Sequence, residues 1–400
     1  MREGWTYKRL GECFPYIKNG ANIKQIKGAK GYPITRIETL SGGVFNRDRM
    51  GYADIFDVNK FQDYILGNGD LLMSHINSKA YIGRTVQYTS QNDEIIIHGM
   101  NLLRLRSNES VILSSFFKYY TDSWHFKTDI ASIRKDAVNQ SSFAISDLKN
   151  FKVPIPSLSE QQSIVAELDK INELISLKKA QLSDLDRLAQ SIFYDMFGDP
   201  IENEKGWEPK RLGDLCEISS AKRVFIEEVV DSGVPFIRGT ELTTLSKLAR
   251  GEKMNYTLFI TKEHYERLKA ITGVPKVGDL LIPSINSEGI VWMVDTAEPL
   301  YFKDGRVLWV HVNKDEFTSE ALQKTMNILI KNIFSSMNGA TFAELKLFVL
   351  RDLIVPKYPL SLQQEFARRI ELIEQQKAQI SSTIKDLETL LASRMQYWFD

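Results

Sequence analysis

The chain has 400 residues, 43% hydrophobic and 26% charged, ordinary values for soluble globular protein with room for about two to three domains. Its 51 basic residues balance 51 acidic ones, which argues against a protein that coats nucleic acid unaided through bulk charge. No run approaches the roughly 18 apolar residues of a membrane span, and the N-terminus lacks the apolar core of a signal peptide, so a cytoplasmic address is expected by default.

The chain opens on Gly4-Trp5 and Lys8-Arg9-Leu10-Gly11, and the pattern returns as Gly206-Trp207 and Lys210-Arg211-Leu212-Gly213. The same offset carries Pro33 and Arg36 onto Pro235 and Arg238, Val153-Pro154 onto Val355-Pro356, Leu158-Ser159 onto Leu360-Ser361, and Gln161-Gln162 onto Gln363-Gln364. An internal repeat decides the architecture before any local reading. Two copies of one unit suggest a pseudo-two-fold molecule, which suits a DNA site with two half-sites. Cys13 and Cys216 fall at nearly equivalent places and read as small core residues, with no support for a disulfide or a metal site. From Cys13 to Ile37, Lys18, Lys24, Lys27, Lys30 and Arg36 form a basic patch with no acidic residue between them.

Each copy places a strand-rich segment ahead of a long helix. The segments run over residues 1–157 and 207–359 and contain short apolar runs at 70–73, 94–97, 101–105, 280–282, 289–294 and 307–312, punctuated by glycine, asparagine and aspartate as strands and turns require. Shorter helices are predicted at 109–122, 261–271 and 318–336. The helices occupy 158–198 and 360–400. Ser159 with Gln162, and Ser361 with Gln364, read as N-terminal capping boxes. The first seam runs Ile164, Leu168, Ile171, Ile175, Lys178, Leu182, Leu185, Ala189, Ile192, Met196; the second runs Phe366, Ile370, Ile373, Lys377, Ile380, Ile384, Leu387, Leu391, Arg394, Trp398. Alternating steps of four and three indicate a coiled coil. Lys178, Lys377 and Arg394 interrupt the seams and are expected to reach out to water. Gly198 is the expected stop of the first helix. Neither helix can bury its stripe alone, so the two are expected to pair. The fold class expected is α+β: two mixed α/β domains in pseudo-two-fold repeat, separated by an antiparallel two-helix coiled coil, with a coiled coil between two chains as the competing arrangement.

Catalytic motifs are missing. There is no Gly-Lys dipeptide and hence no phosphate-cradling P-loop, no Pro-Pro dipeptide of the adenine methyltransferase motif, no His-x-x-x-His pair among His75, His98, His125, His264 and His311, and no Gly-x-Ser-x-Gly elbow. A binding protein is favoured over an enzyme. A further repeat anchor marks where binding would occur: Gly69-Asp70-Leu71-Leu72 matches Gly278-Asp279-Leu280-Leu281, and Ile76-Asn77-Ser78 matches Ile285-Asn286-Ser287, while Met73-Ser74-His75 differs from Ile282-Pro283-Ser284. A shared frame thus carries a variable loop. Ser74, His75, Asn77, Ser78, Ser284, Asn286 and Ser287 are candidates for contacts to base edges, and Lys79 and Arg84 for phosphate or guanine. Lys30, Arg36, Arg134, Lys135, Asn139, Gln140, Lys222, Arg223, Arg238, Thr240 and Asn338 complete the candidate DNA-binding set. Other roles stay open: Asn77 and Asn286 could shape turns, Lys79 and Arg84 could be solvated charges, and Arg36 and Arg238 could pair internal carboxylates.

Two repeats that open on Trp-x-x-Lys-Arg-Leu-Gly and close with Val-Pro, Leu-Ser and Gln-Gln before a heptad helix resemble the specificity subunit of type I restriction-modification systems. Phe151 to Ile164 carries the likeness most strongly; in the second copy Leu362 replaces the expected acid before Gln363. The resemblance implies two target-recognition domains that each read half of a bipartite, asymmetric site in double-stranded DNA, with the helices as spacer. It implies partners: two modification (methyltransferase) subunits and restriction (translocase/nuclease) subunits. It also implies no active site and no cofactor in this chain, since S-adenosylmethionine, ATP and Mg belong to the partner subunits. A stand-alone DNA-binding regulator or decoy, and a coiled-coil scaffold without DNA affinity, are the alternatives.

Overall fold

The computed structural model describes residues 4–138, 140–248, 252, 254–336 and 344–400. The chain divides into two units, Met1–Ser176 with Asp386–Asp400, and Leu177–Lys385.

The first unit runs β1 (Thr6–Arg9), α1 (Leu10–Cys13), β2 (Tyr16–Asn19), β3 (Leu71–Ser74), β4 (Ile76–Asn77), β5 (Thr85–Gln87), β6 (Leu102–Arg106), α2 (Ser114–Asp122), α3 (Trp124–Ile133), β7 (Lys135–Asp136), β8 (Ser141–Ser142), α4 (Ile145–Lys149), β9 (Lys152–Ile155) and the start of α5 (Leu158–Phe197). Its main sheet has the order β2-β6-β3-β5 and is antiparallel throughout. Every residue of β3 is buried because both faces of the sheet are covered. Leu71, Met73, Leu103 and Leu105 point into a core with Phe116, Phe117 and Phe126 of α2 and α3, while Leu72 and Leu102 point the other way, onto Leu40, Val86 and Tyr88. The period of two in a strand divides these neighbours between two cores.

The second unit repeats this plan. After the end of α5 come β10 (Glu208–Arg211), α6 (Leu212–Leu215), β11 (Glu217–Ser220), β12 (Val234–Ile237), α7 (Gly239–Leu245), β13 (Phe259–Ile260), α8 (Lys262–Thr272), β14 (Leu280–Pro283), β15 (Trp292–Met293), β16 (Tyr301–Phe302), β17 (Val307–His311), α9 (Ser319–Ser336), α10 (Leu347–Arg351), β18 (Ile354–Lys357) and α11 (Leu360–Phe399). The main sheet has the order β11-β17-β14-β15. Leu280, Ile282, Leu308 and Val310 face one core; Leu281, Val307 and Trp309 face another.

The sequence anchors are frame contacts. β1 pairs antiparallel with β9, and β10 with β18, in the same register. The Leu10 N–H donates to the Phe151 carbonyl at 2.7 Å and the Leu212 N–H to that of Leu353 at 2.8 Å. A side chain on Gly11 would meet Lys149 at 3.3 Å, and one on Gly213 the Arg351 carbonyl at 3.0 Å, so glycine lets α1 and α6 close on α4 and α10. Cys13 and Cys216 are buried and unpaired.

Both long helices have 40 residues and are antiparallel within each unit. In the first, Ile164 and Leu168 share a core with Phe399, flanked by Leu391, Met395 and Trp398. In the second, Phe193 and Phe197 pack on Phe366 at ring distances of 5.6 and 5.3 Å. Of the predicted seam, Ile164, Leu168, Ile171, Ile175, Phe366, Ile373 and Ile384 are buried, and Leu182, Leu185, Ile192, Ile370, Ile380, Leu387 and Leu391 are half-buried. The caps differ from expectation. Ser157, not Ser159, accepts the first free N–H, from Glu160 at 3.2 Å; in the second copy the Pro359 carbonyl takes the N–H groups of Leu362 and Gln363. Ser159 lies inside the helix because the turn starts directly after Pro156. Gly198, at φ 77°, ends α5. The apolar stretch 94–97 forms only isolated bridges, from Ile97 to Ile34 and Ile65. Among the described residues no helix is long and apolar enough to cross a membrane.

Candidate nucleic-acid interface

In the first unit the chain leaves the main sheet at Ser74 and enters a small sheet of order β4-β8-β7. Asn77 pairs with Ser141, which pairs with Asp136 on its other side. Candidates far apart in sequence are thereby assembled: Asn77, Ser78 and Lys79 from one strand and turn, Lys135 from β7 with Arg134 just before it, and Gln140 beside β8. The Gln140 carbonyl accepts from Ala137 N–H at 2.8 Å and closes the hairpin. Ser78, Lys79, Lys135 and Gln140 are exposed. Arg134 is engaged by Asp136 at 2.6 Å, and this pair with Ser141 holds the Asp136 carboxyl below its usual range. The Arg84 guanidinium lies 4.4 Å from the Tyr81 ring centre. Asn77 shapes its own turn, donating to Ser74 Oγ at 3.0 Å and accepting from Ser78 N–H at 2.7 Å.

Ser74 and His75 lie in the wall beneath this surface, 1% and 7% exposed. Burial pushes the His75 imidazole down to about 4, opposed by the Asn101 backbone. His98, fully buried, donates through Nε2–H to the Leu102 carbonyl at 2.9 Å, and burial with the nearby Arg104 charge takes it down to about 3. Lys30 is exposed on the loop after Ala21, its N–H bound to Asp54 Oδ1 at 2.8 Å. Arg36 is clasped by Glu38 at 2.7 and 2.9 Å.

In the second unit the equivalent exit is tighter. The Leu345 N–H donates to the Ser284 carbonyl at 2.7 Å, as Phe143 N–H does to His75 at 3.3 Å. Ser284 and Asn286 are buried; Asn286 closes its loop by donating to the Ile290 carbonyl at 2.7 Å and accepting that residue's N–H. Ser287 and Lys222 are exposed. Arg223 pairs with Asp304 at 3.0 Å, and Arg238 with Glu241 at 2.7 Å, which also accepts from Thr240. Arg36 and Arg238 therefore occupy the carboxylate-paired role left open by the sequence. Asn139 and Asn338 lie outside the described residues.

The profile of the type I restriction modification DNA specificity domain matches residues 2–187 and again 204–389. The chain belongs to this family. A protein of Methanocaldococcus jannaschii, provisionally assigned as the MjaX type I restriction enzyme specificity subunit, is 34% identical over 215 residues, covering 54% of this chain and 50% of that relative. The MjaIX specificity subunit of the same organism is 34% identical over 134 residues, 28% of this chain and 31% of the relative. The chain thus spans about half the length of these relatives or less. The type I restriction-modification S subunit of M. genitalium, 16% identical with a TM-score of 0.54, covers 99% of this chain and 96% of its own and shares the fold.

Three features of this specificity-family chain have roles that the sequence reading did not assign. Gln161 and Gln363 are fully buried clamps. The Gln161 Oε1 accepts the Leu113 N–H at 2.8 Å while its Nε2 donates to Val111 and Pro156 carbonyls at 3.0 Å; Gln363 does the same with Thr318, Glu316 and Tyr358. Their recurrence at one offset was the available signal. The second is Glu344, which receives Arg306 at 3.2 Å, Lys346 and Ser284 beside the second exit. The third is the Tyr81 platform under Arg84.

Proposed function

We propose that this chain is the DNA-reading subunit of a type I restriction-modification complex. Residues 1–157 and 207–359 act as target-recognition domains, and residues 158–198 and 360–400 as the spacer. Each domain reads one half of a bipartite, asymmetric site in double-stranded DNA. The chain brings two methyltransferase subunits and the restriction subunits to that site and performs no chemistry itself; S-adenosylmethionine, ATP and Mg serve the partners.

One observation carries this reading: a single frame bears two unlike exits. The His75–Phe143 and Ser284–Leu345 backbone bonds are equivalent, yet the first exit carries an exposed ribbon with Lys79, Lys135 and Gln140 and the second a closed loop around Asn286. Two different surfaces on one frame suit two different half-sites. Methylome sequencing of a host carrying the system is the test. An interrupted, non-palindromic adenine-methylated motif is expected. A palindromic motif contradicts the asymmetric reading. Tight site-specific binding without any methyltransferase favours a stand-alone regulator or decoy, and no DNA affinity with modification subunits present favours a protein scaffold.

A further inference from the structure

The turn between β4 and β5 is pinned to the first exit. The Ser74 N–H donates to the Arg84 carbonyl at 2.9 Å, and the Gly83 N–H donates to the Ser74 carbonyl at 2.7 Å. Inside the turn the Tyr81 N–H donates to the Ser78 carbonyl at 2.9 Å, and the Arg84 N–H to the Tyr81 carbonyl at 3.2 Å. Ile82 packs against the core of the unit. Gly83, at φ 78°, makes room for Ile130, which a side chain there would meet at 3.1 Å. Backbone bonds and core packing thus fix where Tyr81 and Arg84 stand. Tyr81 is 47% exposed, and the Arg84 guanidinium lies over its ring, 4.4 Å from the centre. Cation–π attraction holds a guanidinium in such a place, so its planar fork loses little freedom when it meets a ligand. Among the described residues no group accepts a hydrogen bond from that guanidinium. The fork therefore presents donors and no acceptor to whatever approaches. In the major groove guanine alone offers two acceptors side by side, N7 and O6. Adenine and cytosine present an amino donor there, and thymine one acceptor beside a methyl group. A phosphate asks for charge without a fixed fork, which the exposed Lys79 of the same turn supplies.

We propose that Arg84 reads a guanine in the half-site of the first unit, donating to its O6 and N7 in the major groove, and that Tyr81 is the positioning residue that holds the guanidinium for this contact. This rests on the DNA-reading function proposed above and names a base within it.

The test uses the full chain assembled with the modification subunits of its own system, titrated with labelled duplexes carrying the motif found by methylome sequencing. Each G·C pair of the motif is replaced in turn by A·T, and each guanine by 7-deazaguanine, which pairs normally and keeps O6 but lacks the N7 acceptor. At one guanine of one half-site the wild-type assembly loses about 5- to 150-fold in affinity on the change to A·T, and part of that with 7-deazaguanine. R84K keeps the charge and loses the fork, so at that position it binds the G·C and A·T duplexes nearly alike, while the slope of log K against log salt stays unchanged. Y81L gives up about 2- to 5-fold of the same discrimination, and Y81F retains it. Full discrimination at the other half-site shows that each variant is folded. A loss in R84K that is uniform across all duplexes makes Arg84 a phosphate contact and overturns the proposal, as does an unchanged preference in R84K. A wild-type assembly indifferent to 7-deazaguanine at every position overturns it without any variant. A wild-type assembly that binds no duplex at all removes the DNA-reading function as well, which separates the two failures.

Discussion

Arg394 and Glu167 clasp the two long helices in the first unit. The guanidinium donates through Nε and Nη2 to both carboxylate oxygens, the Nη2 bond measuring 3.1 Å, and Trp398 Nε1 adds a third bond to Glu167 at 3.0 Å. Glu167 stands near the start of one helix and Arg394 near the end of the other, so this contact forms only between antiparallel partners. Removing it by Arg394→Ala is expected to lower stability only modestly, because both groups are about a third exposed and screened by solvent. A double-mutant cycle with Glu167→Ala, read in urea, should return a non-zero favourable coupling. Additive losses would mean that the pair contributes nothing beyond its separate contacts.

The glutamine clamps carry a larger share. Gln161→Leu leaves the Leu113 N–H and the Val111 and Pro156 carbonyls without their partner in a fully buried setting. A loss of about 2–4 kcal/mol is expected, and a similar one for Gln363→Leu. Denaturant midpoints of the two variants check this, and an unchanged midpoint for either would remove the clamp from the frame.

The repeated glycines should respond unequally. Gly11→Ala presses on the Lys149 side chain at 3.3 Å, which can shift, whereas Gly213→Ala presses on the Arg351 backbone carbonyl at 3.0 Å, which cannot easily do so. Alanine at 213 is therefore expected to cost more, about 1–3 kcal/mol, and the order of the two thermal midpoints tests it.

Acid sensitivity should come in part from the buried histidines. The unfolded imidazole titrates near 6.5, while folded His75 and His98 titrate near 4 and 3. Between these values the unfolded chain binds protons that the folded chain refuses. The stability contribution is thus fully present above about pH 6.5 and is lost as pH falls toward the folded values. His98→Gln, which can still reach the Leu102 carbonyl, should flatten the fall in urea midpoint between about pH 6.5 and 5, a range above most carboxylate titrations. An equally steep fall in the variant would assign the effect to other groups.

The spacer is open to a length test. Adding one heptad to each long helix keeps the seam in register and should lengthen the unread gap of the methylated motif while leaving both half-sites unchanged. Altered half-sites in the methylome would exclude the spacer role.

What the sequence determined alone was the repeat, the two long helices and their seam, and the frame residues: Leu10 and Leu212, Gly11 and Gly213, Gln161 and Gln363 recur because the same local contacts must form twice. Periodicity of this kind survives in one dimension, since neighbours on a helix or strand face are set by fixed spacing. Sequence spacing placed the helix starts but misassigned their caps, because Ser157 and the Pro359 carbonyl, rather than Ser159 and Ser361, take the first free N–H groups. Near the C-terminal end of α5 it also missed that Phe193 and Phe197, beside the seam, are buried while the seam residues Ile192 and Met196 are half-buried. There the helix packs on its own recognition domain as well as on its partner. Which candidates share a surface was decided only by the tertiary structure. β4 is distant in sequence from the β7–β8 hairpin, and its pairing with β8 brings Lys79 to the side of the sheet that carries Lys135 and Gln140. Likewise, nothing local distinguishes a free lysine from an arginine neutralised by Asp304 or Glu344, because that depends on which carboxylate the fold carries to it from far along the chain.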